Sequence, residues 1–195
     1  MKWNFFREIA RKGVHLTGII VIIGYILIRM YVNENAALMT LIGLLLSLIF
    51  LEYLRLELDI RIPAIDYLIR PKEIGKMHSA IYFVAASIIT FSVFQFNIAL
   101  AANIMAIFGD MIAAVLGQKF GRAIIFKKKT YVGASSEFIV NLICGTIILL
   151  GHVNIYIIII MAFGATVVET ITENIDDNLL IPIATGFIGE ILLLL

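Results

Sequence analysis

Seven apolar runs, at residues 14–32, 36–53, 79–95, 98–117, 137–151, 153–168 and 179–195, leave so little polar chain between them that nearly every residue must belong to a hydrophobic helix or to a short link. With 62% hydrophobic residues and a mean hydropathy of +1.03, the chain carries more apolar surface than a water-soluble domain can cover. A bilayer core takes about 20 apolar helical residues per crossing. Lipid offers no hydrogen bonds, so a spanning backbone satisfies its own N–H and C=O groups as a helix. The expected fold is therefore all-α: one polytopic membrane bundle over residues 1–195 with about seven transmembrane helices. The last three runs are short, which tilt or local bilayer thinning accommodates. The first run leads directly into further spans, unlike a cleavable signal peptide. The lone cysteine, Cys144, sits in an apolar run, so a disulfide framework and a cysteine metal site are both excluded.

Alternating the spans sorts the charges. All of the 15 Lys and Arg residues except Arg29 fall at the N-terminus or in the stretches 54–78, 118–136 and 169–178, on one side. By the positive-inside rule that side is cytoplasmic, with the N-terminus, and the C-terminus lies opposite. Most carboxylates fall there too, which points to chemistry at the cytoplasmic surface. No nucleic-acid partner is expected.

Residues 2–15 read as an amphipathic helix, with Trp3, Phe5 and Phe6 suited to the interface and Arg7, Arg11 and His15 recurring every four residues. A basic membrane anchor is one reading; the other places Arg11, Lys12 and His15 at the mouth of a phosphate site, and His15 just inside a span is less easily explained as an anchor. Glu52 and Arg55, three apart, share a helix face as an ion pair. Residues 56–76, punctuated by Pro63 and Pro71, read as a cytoplasmic surface helix and turn.

The fourth run holds Asp110 among Ala102, Ala106 and Ala114, beside a ridge of Gly109, Ala113, Gly117 and Gly121. Small ridges let helices approach closely, within a chain or between copies, so a homo-oligomer is compatible. Packing accounts for the small residues and not for the aspartate, which needs a partner or a wet cavity. After this run come Lys127, Lys128, Lys129, Thr130, Gly133, Ser135 and Ser136, read as a loop ahead of a helix starting at 137. Lysines beside a helix N-terminus, which Ser135 or Ser136 would cap, make a phosphate cradle. The order is not that of a Walker loop. Beyond the sixth run, Glu169, Glu173, Asp176 and Asp177, with Asn178, offer oxygen ligands for a hard divalent cation such as Mg²⁺. One of these aspartates is also placed to cap the last helix, and Pro182 early in that helix suggests an irregular start.

Together these residues resemble the CTP-dependent polyprenol kinases: dolichol, phytol and farnesol kinases and the CTP-dependent diacylglycerol kinase. The resemblance rests on Arg11-Lys12 with His15, Glu52 with Arg55, and Gly109-Asp110 with Gly117 and Gly121. It also rests on Lys128-Lys129-Thr130 with Gly133 and Ser135, and on Glu169 followed by Asp176-Asp177-Asn178. It implies CTP as phosphate donor, a divalent metal, and an isoprenoid or lipid alcohol held in the bilayer as acceptor. On that reading the lysines, with Arg11 and Lys12, hold the triphosphate. Asp110, Glu169, Asp176 and Asp177 divide metal binding and deprotonation, with Asp110 or Asp177 the first choices for the base and His15 an outside one. Glu52, Arg55, Glu173 and Asn178 support. Two other classes fit less well. A cytidylyltransferase would release pyrophosphate and make a CDP-lipid, and its long C-terminal signature is missing. A transporter would show internal repeats and charges nearer the midplane.

Overall fold

The computed structural model describes residues 17–58, 75–127, 129–172 and 175–195. Arg11, Lys12, His15, Lys128 and Glu173 lie outside them, as do the N-terminal amphipathic segment and most of the expected surface helix. Among the described residues are seven helices: α1 (Thr17–Tyr31), α2 (Glu34–Leu56), α3 (Ser79–Val93), α4 (Phe96–Phe120), α5 (Tyr131–Leu149), α6 (Ile155–Ile171) and α7 (Asp177–Leu194). Four of them, α2, α4, α5 and α7, are long and apolar enough to cross a membrane, and α1, α3 and α6 are shorter apolar helices. The chain fits an integral membrane protein. The architecture is all-helical, as expected, and one connection adds a short two-stranded antiparallel ribbon of Ile124–Phe126 (β1) and Lys129–Thr130 (β2). The β-branched Ile124 and Ile125 favour extended backbone, and Lys127, at φ 46°, takes the left-handed conformation that reverses the chain.

The chain divides into two compact units, Met1–Ala85 and Ala86–Leu195, with the boundary inside α3. In the first, α1 and α2 pack as a helical hairpin, with Asn33 capping α2 by accepting from Ala36 N at 2.8 Å. At the far end of α2, Glu52 and Arg55 form a buried two-pronged ion pair, Nη2 to Oε1 at 2.6 Å and Nε to Oε2 at 3.0 Å. The pair also receives the His78 N–H at 2.7 Å and donates to the Lys76 carbonyl at 2.7 Å. It therefore staples the end of α2 to the approach to α3.

In the second unit, α4 to α7 run up, down, up, down; each packs on the next and α7 closes back on α4. The core is graded along the bundle. At one end Ile98, Ala101, Met105, Leu149, Ile157, Ile158 and Met161 form a fully apolar cluster. Ala106, Ala165 and Ile181 form a middle layer. Beyond it, at the end carrying the ribbon and the α6–α7 link, the buried side chains turn polar: Asp110, Glu137, Asn141, Thr166, Glu169 and Asn178.

Candidate active site

The ridge on α4 is what brings this polar layer together. A Cβ on Gly109 would lie 2.5 Å from Asn141 Oδ1 and 3.1 Å from Glu137 Cγ. A Cβ on Gly121 would collide with the Gly117 carbonyl and the Thr130 hydroxyl. Glycine at these points lets α5 lie directly on α4. The seam on α5 is a period-four stripe of buried residues, Gly133, Glu137, Asn141, Gly145 and Leu149, and it faces the α4 ridge.

The ribbon delivers the chain into α5 six residues earlier than the apolar run indicates. Thr130 is the N-cap: its hydroxyl accepts from Gly133 N at 3.1 Å, and Tyr131 N donates to Ala123 O at 3.1 Å. Gly133, Ser135 and Ser136 consequently lie in the first turns of the helix and not in a loop. The serines do not cap it; Ser135 Oγ donates to Tyr131 O at 2.6 Å and Ser136 Oγ to Val132 O at 2.7 Å. Two of the leading N–H groups of α5 are thus already used, a smaller phosphate cradle than a free helix end offers. Lys127 is exposed, its ammonium 5.4 Å from the Phe126 ring centroid.

Lys129 leaves the ribbon and pairs with the buried Glu169 of α6. Burial pulls this ammonium down, but Glu169, followed by Asp177 and Asp110, more than offsets it, and the net direction is up. One cation from the ribbon thus lies in the field of carboxylates from α4, α6 and the start of α7. At α7, Asp176 is the N-cap, accepting from Asn178 N at 3.0 Å and Asn178 Nδ2 at 2.8 Å. Asp177 accepts from the same two nitrogens at 3.0 and 3.1 Å. Burial, then the adjacent Asp177, push the Asp176 carboxyl up to about 6, with the Asn178 hydrogen bonds pulling the other way. Pro182 removes the N–H that would meet the Asn178 carbonyl, yet α7 runs unbroken through it.

The structure therefore gathers Asp110, Lys129, Glu169, Asp176 and Asp177 at one end of the second unit. Glu52 and Arg55 belong to the first unit and serve as the staple described above. Sequence spacing missed Glu137, Asn141 and Thr166. Glu137 is 1% exposed and lies within electrostatic reach of Glu169, Asp110 and Lys129. Asn141 Nδ2 reaches Glu137 Oε1 and Thr166 Oγ1 only at 3.5 and 3.4 Å. Among the described residues, Glu137 Oε2 and Asn141 Oδ1 have no hydrogen-bond partner. Each such buried atom costs about 1–3 kcal/mol. Their signal in the sequence is the four-residue spacing from Gly133 through Glu137 to Asn141, which forms one face only because the helix begins at Tyr131 and not at 137.

Among the described residues no three Asp, Glu, His or Cys side chains stand close enough together to form a metal-ligand set. The donors are nonetheless hard oxygens, and Mg²⁺ characteristically takes one or two carboxylates and completes its shell with water and phosphate oxygens. The residues present fit that mode.

Compared with known proteins, the chain is 31% identical over 99 residues to a probable chloroplastic phytol kinase from Triticum aestivum. The overlap covers 43% of this chain and 33% of that protein, so the chain spans about a third of its relative's length. This lends support to a prenol-type kinase family without pointing to a member. No family model and no solved structure matches.

Proposed function

We propose that this protein is a CTP-dependent lipid-alcohol kinase, transferring the γ-phosphoryl group to an isoprenoid alcohol of the polyprenol or dolichol type at the cytoplasmic face of a membrane, with seven spans. The observation that carries this reading is the Lys129 ammonium, held by Glu169 in the field of Asp110 and Asp177 at the polar end of an apolar bundle. Phosphoryl transfer asks a protein mainly for positioning and for charge at the phosphates. Lys129, with Lys127 and Lys128, supplies cations for the triphosphate, and the N-termini of α5 and α7 add their dipoles at the same end. One or two of Asp110, Glu169, Asp176 and Asp177 would hold Mg²⁺, which when bound neutralises phosphate charge. The bond between the alcohol oxygen and the γ-phosphorus forms as the β,γ-bridging P–O bond breaks. CDP leaves, and Asp110 or Asp177 takes the hydroxyl proton. The local similarity to a probable phytol kinase supports a lipid alcohol as acceptor.

Purified protein incubated with γ-labelled CTP, Mg²⁺ and a panel of polyprenol, dolichol, geranylgeraniol, phytol and diacylglycerol tests this directly. Label in the lipid with CDP as co-product is the expected result. Release of pyrophosphate with a CDP-lipid would reassign the protein as a cytidylyltransferase, and absence of any lipid product would end the kinase reading. Parallel ATP and GTP reactions test the choice of CTP.

A further inference from the structure

Glu137 and Asn141 take no part in the phosphate chemistry above, and their geometry calls for something the described chain does not provide. Both side chains are at least nine-tenths buried, at 1% and 0% exposure. Each presents an oxygen without a partner among the described residues; the Asn141 oxygen is an acceptor, and the Glu137 oxygen is one when its carboxyl is ionised. Gly109 opposite them has no side chain, and the Asn141 amide oxygen rests in the notch this leaves. The missing partner is a group such as a hydroxyl, which can donate to these oxygens and can accept from a protonated carboxyl. A phosphate group does not fit this role, because its ionised oxygens only accept hydrogen bonds. The position also matters: Glu137 is six residues into α5, about 9 Å along the helix from its ribbon end, on the bilayer side of Lys129. A polar nucleoside would have to be desolvated to reach that depth, whereas an alkanol brings one O–H donor on an otherwise apolar body.

We propose that Glu137, oriented by Asn141, receives the hydroxyl of the acceptor alcohol through a hydrogen bond to its free carboxyl oxygen. This rests on the lipid-alcohol kinase reading and adds the acceptor half of the site to it. The ionised carboxylate accepts from the alcohol O–H; in the neutral acid, whose other oxygen accepts from Asn141, the free oxygen carries the proton and donates to the alcohol oxygen, so the contact forms in either state. Glu137 thereby separates two functions along α5: the ribbon end meets the nucleotide, and the second turn meets the alcohol. Asp110, on α4 beside Gly109, then lies next to the bound hydroxyl.

The test uses the full chain in lipid nanodiscs, with tritiated geranylgeraniol as the alcohol probe and Mg-CTP measured separately by calorimetry. Glu137→Gln replaces the accepting oxygen by an N–H₂ group that can donate to Asn141 Oδ1. It should weaken geranylgeraniol binding about tenfold and leave Mg-CTP affinity and thermal stability intact. Glu137→Met, which removes both oxygens while keeping the volume, should do the same and serves if the first variant folds poorly. Unchanged geranylgeraniol affinity in a folded variant overturns the proposal, as does a loss confined to Mg-CTP. Loss of alcohol binding in the variants, together with a wild-type protein that binds alcohol but transfers no label, would uphold the site and overturn the kinase reading. Transfer with the same alcohol KM in wild type and Glu137→Gln would do the reverse.

Discussion

Burial, and then the neighbouring Asp177, make the folded chain hold the Asp176 proton more tightly than an ordinary aspartate with a value of 3.8, although the N-cap hydrogen bonds from Asn178 pull the other way. A folded value raised to about 6 has a definite sign. Between the two values the folded state binds more protons than the unfolded state. The stability this contributes is complete below the ordinary value and is lost as pH rises through the folded one. Asp176→Asn keeps a good N-cap and removes the charge. In chelator-treated samples its stability should vary less than wild type between about pH 4 and pH 7 and exceed it at the upper end. The gain is at most about 3 kcal/mol, and less after screening by water at this half-buried carboxyl. Parallel, equally sloped profiles for the two proteins would show that Asp176 is not charged against its neighbours. Gly109 sets the second residue-scale expectation. A methyl there meets Asn141 Oδ1 at 2.5 Å, and Gly109→Ala should cost about 1–3 kcal/mol of stability by overpacking, read by thermal unfolding in detergent. A loss below about 0.5 kcal/mol would mean that α4 and α5 are not tightly seated at this point.

At the scale of elements, the sequence was informative wherever burial in lipid forces a pattern and silent wherever tertiary contact decides. The seven apolar runs correspond to the seven described helices, because a helix satisfies its own backbone wherever an apolar run is taken out of water. The start of α5 was lost because hydropathy cannot see a cap. Thr130, Gly133, Ser135 and Ser136 are polar or small and read as loop, yet Thr130 closes the helix end against Gly117 and Gly121. That misplacement hid Glu137 and Asn141 among the candidate residues, while Asp110, Glu169 and Asp177 stood out as acids in or beside apolar helices. The ribbon was equally illegible, three residues paired with two being too short for any alternation to register. Thr130 is therefore the residue on which this junction turns. Thr130→Ala removes the cap at a cost of about 1 kcal/mol, and Thr130→Ser should restore it. Because Lys129 precedes Thr130 directly, the alanine variant should also raise the KM for nucleotide, and the serine variant should recover it. A nucleotide KM indifferent to Thr130→Ala would separate the ribbon from the site.

For the molecule as a whole, the proposed sidedness rests on charge and on the order of the bundle together. In the up-down-up-down arrangement the ribbon and the α6–α7 link share one end, and the α5–α6 link, residues 150–154, lies at the other. The ribbon end carries Lys119, Arg122, Lys127, Lys128 and Lys129, while the link 150–154 contains no Lys or Arg. Such an imbalance orients short loops with the basic end in the cytoplasm, and on the proposed reading that would put the gathered acids and Lys129 on the side where CTP is found. Lys127 and His152 are both exposed, one at each end, and Cys144 is the only thiol to remove. In a Cys144→Ala background, a membrane-impermeant maleimide applied to sealed cells should label His152→Cys at once and Lys127→Cys only after permeabilisation. The opposite order would put the site outside the cell, away from its nucleotide, and would leave the kinase proposal without a donor even though every side chain stood in the same place.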